Sequence, residues 1–328
     1  MGLKAYLAKK VVYLIVLVYF VISLNFVIFM MMPGDPTAVF AGAARITDLT
    51  ALKNIRARFG LDQPLGVRYV FFVENCLTFY FGYSYMSNRP VSDEIAGRVM
   101  NTLALVGLST VLAILLGTLL GVLAAARRGK AFDTGNVSVS LVFFSVPSFW
   151  IGMLLLTIFS TWLGWFPSSG ALPREWVLHP PTDILQEIWG RLYHLFLPVL
   201  TLTLFQYGGY LLLARATMGE ALTEDYIVTA RAKGVKERSI LYKHALRNAS
   251  LPLITNIALS FGFMLSGAII TETVFTYEGL GYWLFAAINF ADYPVLNAMF
   301  YIIALCVIAA NFISDLLYGV IDPRIRYG

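Results

Sequence analysis

The chain has 328 residues, 59% hydrophobic, 15% aromatic and 13% charged, with a mean hydropathy of +0.73. A soluble domain carries about twice that charge fraction, so the composition excludes an ordinary soluble protein and places the chain among membrane proteins. The net charge of +5 needs no nucleic-acid partner, because Lys and Arg collect on the cytoplasmic loops of membrane proteins.

A helix needs about 20 apolar residues to cross the hydrocarbon core. Six charge-free runs qualify: Val11–Met32, Thr102–Ala126, Val137–Phe166, Leu195–Ala214, Leu251–Thr271 and Val295–Ser314. The first ends in MMPGDP rather than a small-x-small cleavage site, so it reads as a retained span and not a signal peptide. Between the first two spans lies 33–98, with turn signals (PGDP, GLDQP, SNRP) and an aromatic stretch, Tyr69–Tyr85. These predict short helices on the outer face. In the second span Gly117 and Gly121 form GxxxG, a helix-packing signal. The third run is long and contains Pro147, which predicts a tilt, a kink or an early exit from the membrane.

Lys and Arg set the orientation. With the N-terminus inside, the inner segments hold Lys4, Lys9 and Lys10, then Arg127, Arg128 and Lys130, then seven basic residues within 215–250, then Arg324 and Arg326. The two short outer loops hold only Arg174 and Arg191, so both termini are expected in the cytoplasm. Asp315 and the Asp322–Arg324 tail read as inner-end anchors.

Several chemistries lack their residues. The two Cys (76 and 306) and three His (179, 194, 244) have no metal spacing. The spans carry no paired Asp, no Ser with His and no HExxH. They also lack the mid-membrane charge that an ion-coupled carrier needs. No GxxxxGK[ST] occurs, so energy would have to come from a partner.

That partner would meet the inner loop, 215–250. Glu220–Lys233 reads as a helix, with Thr223 as N-cap and Glu224 and Asp225 in the first turn. Gly234 terminates it. A second helical pattern follows, and Ser250-Leu-Pro opens the fifth span, placing Pro252 in a first turn. Two readings fit these residues: a basic hairpin on anionic lipid headgroups, or a short helix seated in a cytosolic motor. Ala230, Ala232 and Gly234 allow the close backbone approach that docking needs.

The loop resembles the cytoplasmic "EAA" loop of ABC-importer permeases, in the B-type form of the oligopeptide/dipeptide family. The matching residues are DYIVTARAKG at 225–234 and HALRNASLP at 244–252. PGDP at 33–36, GLDQP at 60–64, LGWFPSSG at 163–170, GAIITETVF at 267–275, GLG at 279–281 and DPRIR at 322–326 are similar to the same branch. One stretch departs from it: TFYFGYS keeps only Gly82 and Ser84 of a family turn that usually carries an Asp.

The resemblance implies an all-α polytopic membrane protein with six transmembrane helices and the type I ABC importer permease fold. It divides into 1–32, the outer segment 33–98, a permease core 99–320 around the coupling loop 215–250, and the tail 321–328. The implied partners are a second permease subunit in a heterodimer, two cytosolic ABC ATPases that bind ATP and Mg, an extracytoplasmic substrate-binding protein and membrane lipid. The implied setting is a prokaryotic cytoplasmic membrane. The chain itself is expected to hold no cofactor and to catalyse nothing. Its cargo would be di- or oligopeptides, with oligosaccharides, nickel or glutathione as alternatives. A motor-free channel or membrane-anchored structural protein is the reading from a different class.

Within this frame the motor-docking residues are Tyr226, Thr229, Ala230, Arg231, Ala232, Lys233, Gly234 and Val235. Polar or small residues on charge-free spans are the pathway candidates: Gln206, Tyr207, Tyr210, Asn256, Ser260, Ser266 and Gly267. Glu272, just past the fifth span, either helps close an outer gate or pairs with an outer Arg.

Overall fold

The computed structural model describes residues 3–31, 62–263 and 268–321, and among these the chain is helical, with a single β-bridge between Tyr83 and Pro90. Helix α1 (Leu3–Met31) covers the first predicted span and α2 (Leu65–Leu77) lies in the outer segment. Then come α3 (Val91–Ala126), α4 (Ala131–Ser145) and α5 (Ser148–Leu155), which runs on into a wider π-helical turn, Leu156–Trp162. Helix α6 (Ile184–Ala221) precedes the short α7 (Asp225–Ala232) of the inner loop. The remainder is α8 (Leu246–Phe263), α9 (Ile269–Val274), α10 (Leu280–Phe290) and α11 (Tyr293–Ile321).

Among the described residues, three helical stretches are long and apolar enough to span a membrane by themselves: Lys9–Met31, α3 and α6. The third predicted span is not one rod. It breaks at Pro147 into α4 and α5, bent by 100°. Pro147 has no N–H to continue the ladder and restricts the residue before it; Val146 is accordingly extended, at φ −85° and ψ 133°. The fifth predicted span lies on α8 as far as Phe263 and on α9 from Ile269, with 264–267 outside the described residues, and the sixth falls on α11. Pro252 lies inside α8, not in its first turn, because the helix begins earlier, at Leu246. With 36 and 38 residues, α3 and α6 are about 54 and 57 Å long at 1.5 Å per residue, well beyond a hydrocarbon core of about 30 Å.

Helix α3 has little polar face to bury, so it sorts its sides by size. Leu108, Leu112, Leu115 and Leu119 point outward, while Leu105, Ser109, Ala113, Gly117 and Gly121 are buried at four-residue steps. This stripe meets α6 in the most extensive helix pairing among the described residues. A Cβ on Gly117 would lie 2.5 Å from the Tyr207 carbonyl oxygen, and one on Gly121 2.6 Å from that of Leu211. The two backbones therefore touch, as GxxxG predicts. In lipid such close packing replaces the hydrophobic drive that water would supply.

The first span is held by polar groups as well. Asn25 is buried and its side-chain amide donates to Asn297 Oδ1 on α11 at 2.8 Å. The Ser23 hydroxyl meets the Tyr69 hydroxyl on α2 at 2.6 Å, and Phe26 packs edge-on against Tyr69 and Phe72.

The α3–α6 contact generates a direct expectation. Gly121→Leu should lower the thermal midpoint in detergent, by an overpacking cost of about 1–3 kcal/mol. Gly97→Ala, on the same helix with open space around it, should leave the midpoint unchanged or raise it, since Ala is the better helix former by about 1 kcal/mol. Equal midpoints for both variants would remove the backbone contact as the cause.

Candidate functional site

The inner loop folds as a short helix lying under the ends of the spans. Its helix α7 is shorter than predicted, because Glu220 still belongs to α6. Glu224 takes the N-cap position without a side-chain cap bond, so Thr223 is not the cap: its hydroxyl donates back to the Glu220 carbonyl at 2.7 Å. The C-terminus follows the sequence closely. Gly234 has φ +75°, its N–H donates to the Arg231 carbonyl, and the Val235 N–H donates to that of Ala230. This pair of bonds is a Schellman motif, which favours glycine at the left-handed position.

The helix has two distinct faces. Ile227 and Ala230 are buried against Met218 and Ala221 of α6 and Val122 and Ala125 of α3, with Tyr226 and Val235 packed partly into the same cluster. Thr229, Arg231, Ala232, Lys233 and Gly234 are exposed. Of the predicted docking residues, then, Ala230 faces the spans and these five face away. A residue the sequence reading passed over joins them: Val228 is 58% exposed at the centre of the outward face. The signal was available, since an apolar residue next to Ile227 on a helix this short must point elsewhere. Arg231 pairs with Glu237 at 2.8 Å, both substantially exposed, which contributes little to stability.

Toward the opposite end of α3, Glu272 is fully buried. Its Oε1 accepts from the Thr102 hydroxyl of α3 at 2.7 Å, and its Oε2 accepts from the Tyr282 N–H in the first turn of α10 at 2.9 Å. The Thr102 oxygen in turn accepts from the Leu280 N–H at 2.8 Å. One carboxylate thus joins α9, the start of α10 and α3. Pairing with an outer Arg, one of the two readings of Glu272, is not among its described hydrogen bonds. Arg98 pairs with Glu94 and lies over the Trp283 ring. The glycines of GLG follow from this junction: a Cβ on Gly279 would lie 2.5 Å from Glu272 Oε2 and from Thr102 Oγ1, and one on Gly281 2.6 Å from the Ile269 Cα.

Other stretches of the sequence converge nearby. The Gly170 N–H of LGWFPSSG donates to the Phe275 carbonyl at 3.1 Å, while His194 Nδ1 lies 3.1 Å from the Gly170 carbonyl. Ser84, one of the two residues TFYFGYS keeps, is buried and donates to Asp292 Oδ2 at 2.5 Å. Gly82, the other, adopts φ +79° in the turn that sets up this contact. The missing Asp of that turn therefore leaves intact its anchorage at the start of α11.

The pathway candidates separate. Gln206 is half-buried, with the Thr110 hydroxyl at 3.5 Å. Tyr210 is buried and its hydroxyl donates to Ser260 on α8 at 2.7 Å, while Asn256, one turn earlier on α8, is exposed. Tyr207 is buried in the same cluster as Tyr210, its ring 6.2 Å from that of Phe143 on α4. Ser266 and Gly267 lie outside the described residues, as do PGDP, the first two residues of GLDQP, and DPRIR.

A further junction escaped the sequence reading. Asp133, at the start of α4, is buried and takes a two-pronged ion pair from Arg215 on α6. Arg215 had counted only toward orientation. The clue lay in chain order: Asp133 follows RRGK at the start of one span, and Arg215 is the first charge beyond another.

Comparison with known proteins agrees along the whole chain. Residues 117–327 match the family described as binding-protein-dependent transport system inner membrane component, and residues 3–106 match the N-terminal part of the same class of proteins. The glutathione transport system permease protein GsiC of Escherichia coli K12 is 38% identical over 322 residues, covering 98% of this chain and 99% of that protein. The di/tripeptide transport system permease protein DppB of Pseudomonas aeruginosa UCBPP-PA14 is 36% identical over 333 residues, with 98% and 99% covered. Among solved structures, an inward-facing MetNI methionine ABC transporter has a TM-score of 0.53 at 17% identity, covering 70% of this chain and 96% of that one. That likeness concerns the fold.

The outer junction can be tested alone. Glu272→Leu strands a buried N–H and a hydroxyl, each costing about 1–3 kcal/mol. It should lower the detergent midpoint and speed proteolysis at 275–280, with Glu272→Gln milder because it keeps one acceptor. Wild-type behaviour of Glu272→Leu would show that the carboxylate does not hold the junction.

Proposed function

Since the chain belongs to the family of binding-protein-dependent transport system inner membrane components, we propose that it forms half of the translocation pathway of an ATP-driven importer of short peptides. The chain is an ABC importer permease. In this reading it pairs with a second permease, two cytosolic subunits bind ATP and Mg and hydrolyse the nucleotide, and an outer binding protein delivers cargo. Both termini lie in the cytoplasm, where the basic loops 127–130 and 215–250 also lie.

The observation that carries the proposal is the two-faced helix α7. One face is locked into the inner ends of α3 and α6. The other presents Val228, Thr229 and Ala232, small or β-branched, with Gly234 at the tip. A helix lying on headgroups would place aromatic or Leu residues outward. A flat, small-residue face suits the groove of a protein partner. Movement of that partner then reaches α3 and α6 through Ile227 and Ala230, and a switch of this kind needs contacts that differ between two states. The polar group of Gln206, Tyr210, Ser260 and Asn256 is the proposed pathway side.

Short peptides are the proposed cargo because relatives named for glutathione, itself a tripeptide, and for di/tripeptides align over nearly the whole chain. Binding assays on the partner binding protein with dipeptides, tripeptides, oligosaccharides and nickel decide this. Saturable capture of an oligosaccharide alone would replace the peptide reading.

Gly234 supplies the sharper test of docking. Gly234→Asn tolerates the left-handed backbone and should retain uptake and co-purified ATPase. Gly234→Arg adds both strain, about 1–2 kcal/mol, and a long side chain at the tip. It should insert normally, lose the ATPase and abolish uptake. Normal uptake by Gly234→Arg would remove the docking role.

A further inference from the structure

Asp133 is 2% exposed. Arg215 Nε donates to its Oδ1 at 2.5 Å and Arg215 Nη2 to its Oδ2 at 2.8 Å. The Gly129 N–H adds a third bond, to Oδ2 at 2.9 Å. One carboxylate thereby ties together the α3–α4 turn, the first turn of α4 and the inner end of α6. The same end of α6, through Met218 and Ala221, receives the buried face of α7.

The break at Pro147 gives this pair its significance. Because α4 and α5 are bent by 100°, α4 is a lever separate from the outer half of its span. The rest of its described grip on α6 is packing without charge: Gly208 lies against the Ser140 backbone, and Val137 and Phe143 pack into the cluster of Tyr207, Tyr210 and Leu211. Its other side carries exposed Val139, Val142 and Phe144, a surface for lipid. Such packing holds the helices by close contact alone, with no hydrophobic drive behind it in lipid, whose tails are equally apolar. A two-pronged ion pair adds direction, and losing Arg215 would leave the buried Asp133 carboxylate without its charge partner.

We propose that the Asp133–Arg215 pair makes α4 move with α6, so that the displacement of α7 by the motor passes into the inner half of the third span. The proposal rests on the importer reading, and the two fail separately. If the wild-type chain brings down no ATPase, the importer reading fails. If it does, the pair can be examined within the assembled transporter.

The experiment measures a distance by electron resonance between nitroxide labels at Val142 on α4 and Glu220 on α6, both exposed. Cys306 is replaced by Ala. Cys76 can stay, because it is buried and burial pushes its thiol up to about 12, which suppresses labelling. Complete transporters are compared without nucleotide and trapped with ADP–vanadate. In the wild type the distance should stay the same in both states. In Asp133→Asn and Arg215→Gln it should shift or broaden on trapping while the ATPase stays bound, with Arg215→Lys intermediate because it keeps the charge and loses the fork. A wild-type distance that changes on trapping, or variant distances that do not, would overturn the proposal. Loss of insertion or of the ATPase in all three variants would overturn it too, since the pair would then be a folding staple.

Discussion

Everything in this molecule is arranged around the place where two backbones touch. Gly117 and Gly121 of α3 let Tyr207 and Leu211 of α6 approach until a single extra carbon on either glycine would collide with a carbonyl oxygen. No other described helix pair is as extensive. Because α3 and α6 are both longer than the membrane is thick, their crossing leaves free ends on both sides. The outer end of α3 supplies Thr102 to the Glu272 junction. The inner ends of both helices form the bed for α7, and α6 also supplies Arg215.

The polar chemistry of the chain is correspondingly sorted by depth. Mid-membrane polarity among the described residues is modest: hydroxyls and amides such as Thr110, Gln206, Tyr210 and Ser260. Buried carboxylates occur at the ends. Glu272 and Asp292 anchor the assembly at one end of the spans, and Asp133 at the end where α7 packs. Each accepts from donors on elements far apart in sequence, so each converts loop ends into a joint. A protein that must rock between two shapes needs rigid joints at its rims and a pathway lined by groups that do not bind too firmly. In the proposed function these ends are where the motor and the binding protein act.

Much of this was legible in the residues. Charge-free runs marked the three described stretches that are long and apolar enough to span by themselves, GxxxG marked the α3–α6 contact, and Gly234 marked the end of α7, because each rests on a local rule. The motifs LGWFPSSG, GAIITETVF and GLG were legible as a family pattern but not as a structure. Only the fold shows that Gly170 bonds to Phe275 and that Gly279 makes room for Glu272. What escaped was long-range pairing: Asp133 with Arg215 across 82 positions, and Ser84 with Asp292 across 208. Helix starts were also displaced, Thr223 losing the cap to Glu224 and α8 beginning before Pro252, because α6 and α8 run past their apolar cores. Capping propensity is a local preference, and a long neighbouring helix overrides it.

The central claim is that α7 has one face for the spans and one for a motor. Single cysteines placed at Val228 and at Ile227, followed by cross-linking in membranes containing the whole transporter, test it most directly. Val228 should cross-link to an ATPase subunit, and Ile227, buried against α3 and α6, should not. Cross-linking from Ile227 but not from Val228, or from neither in a transporter that hydrolyses ATP, would contradict the account.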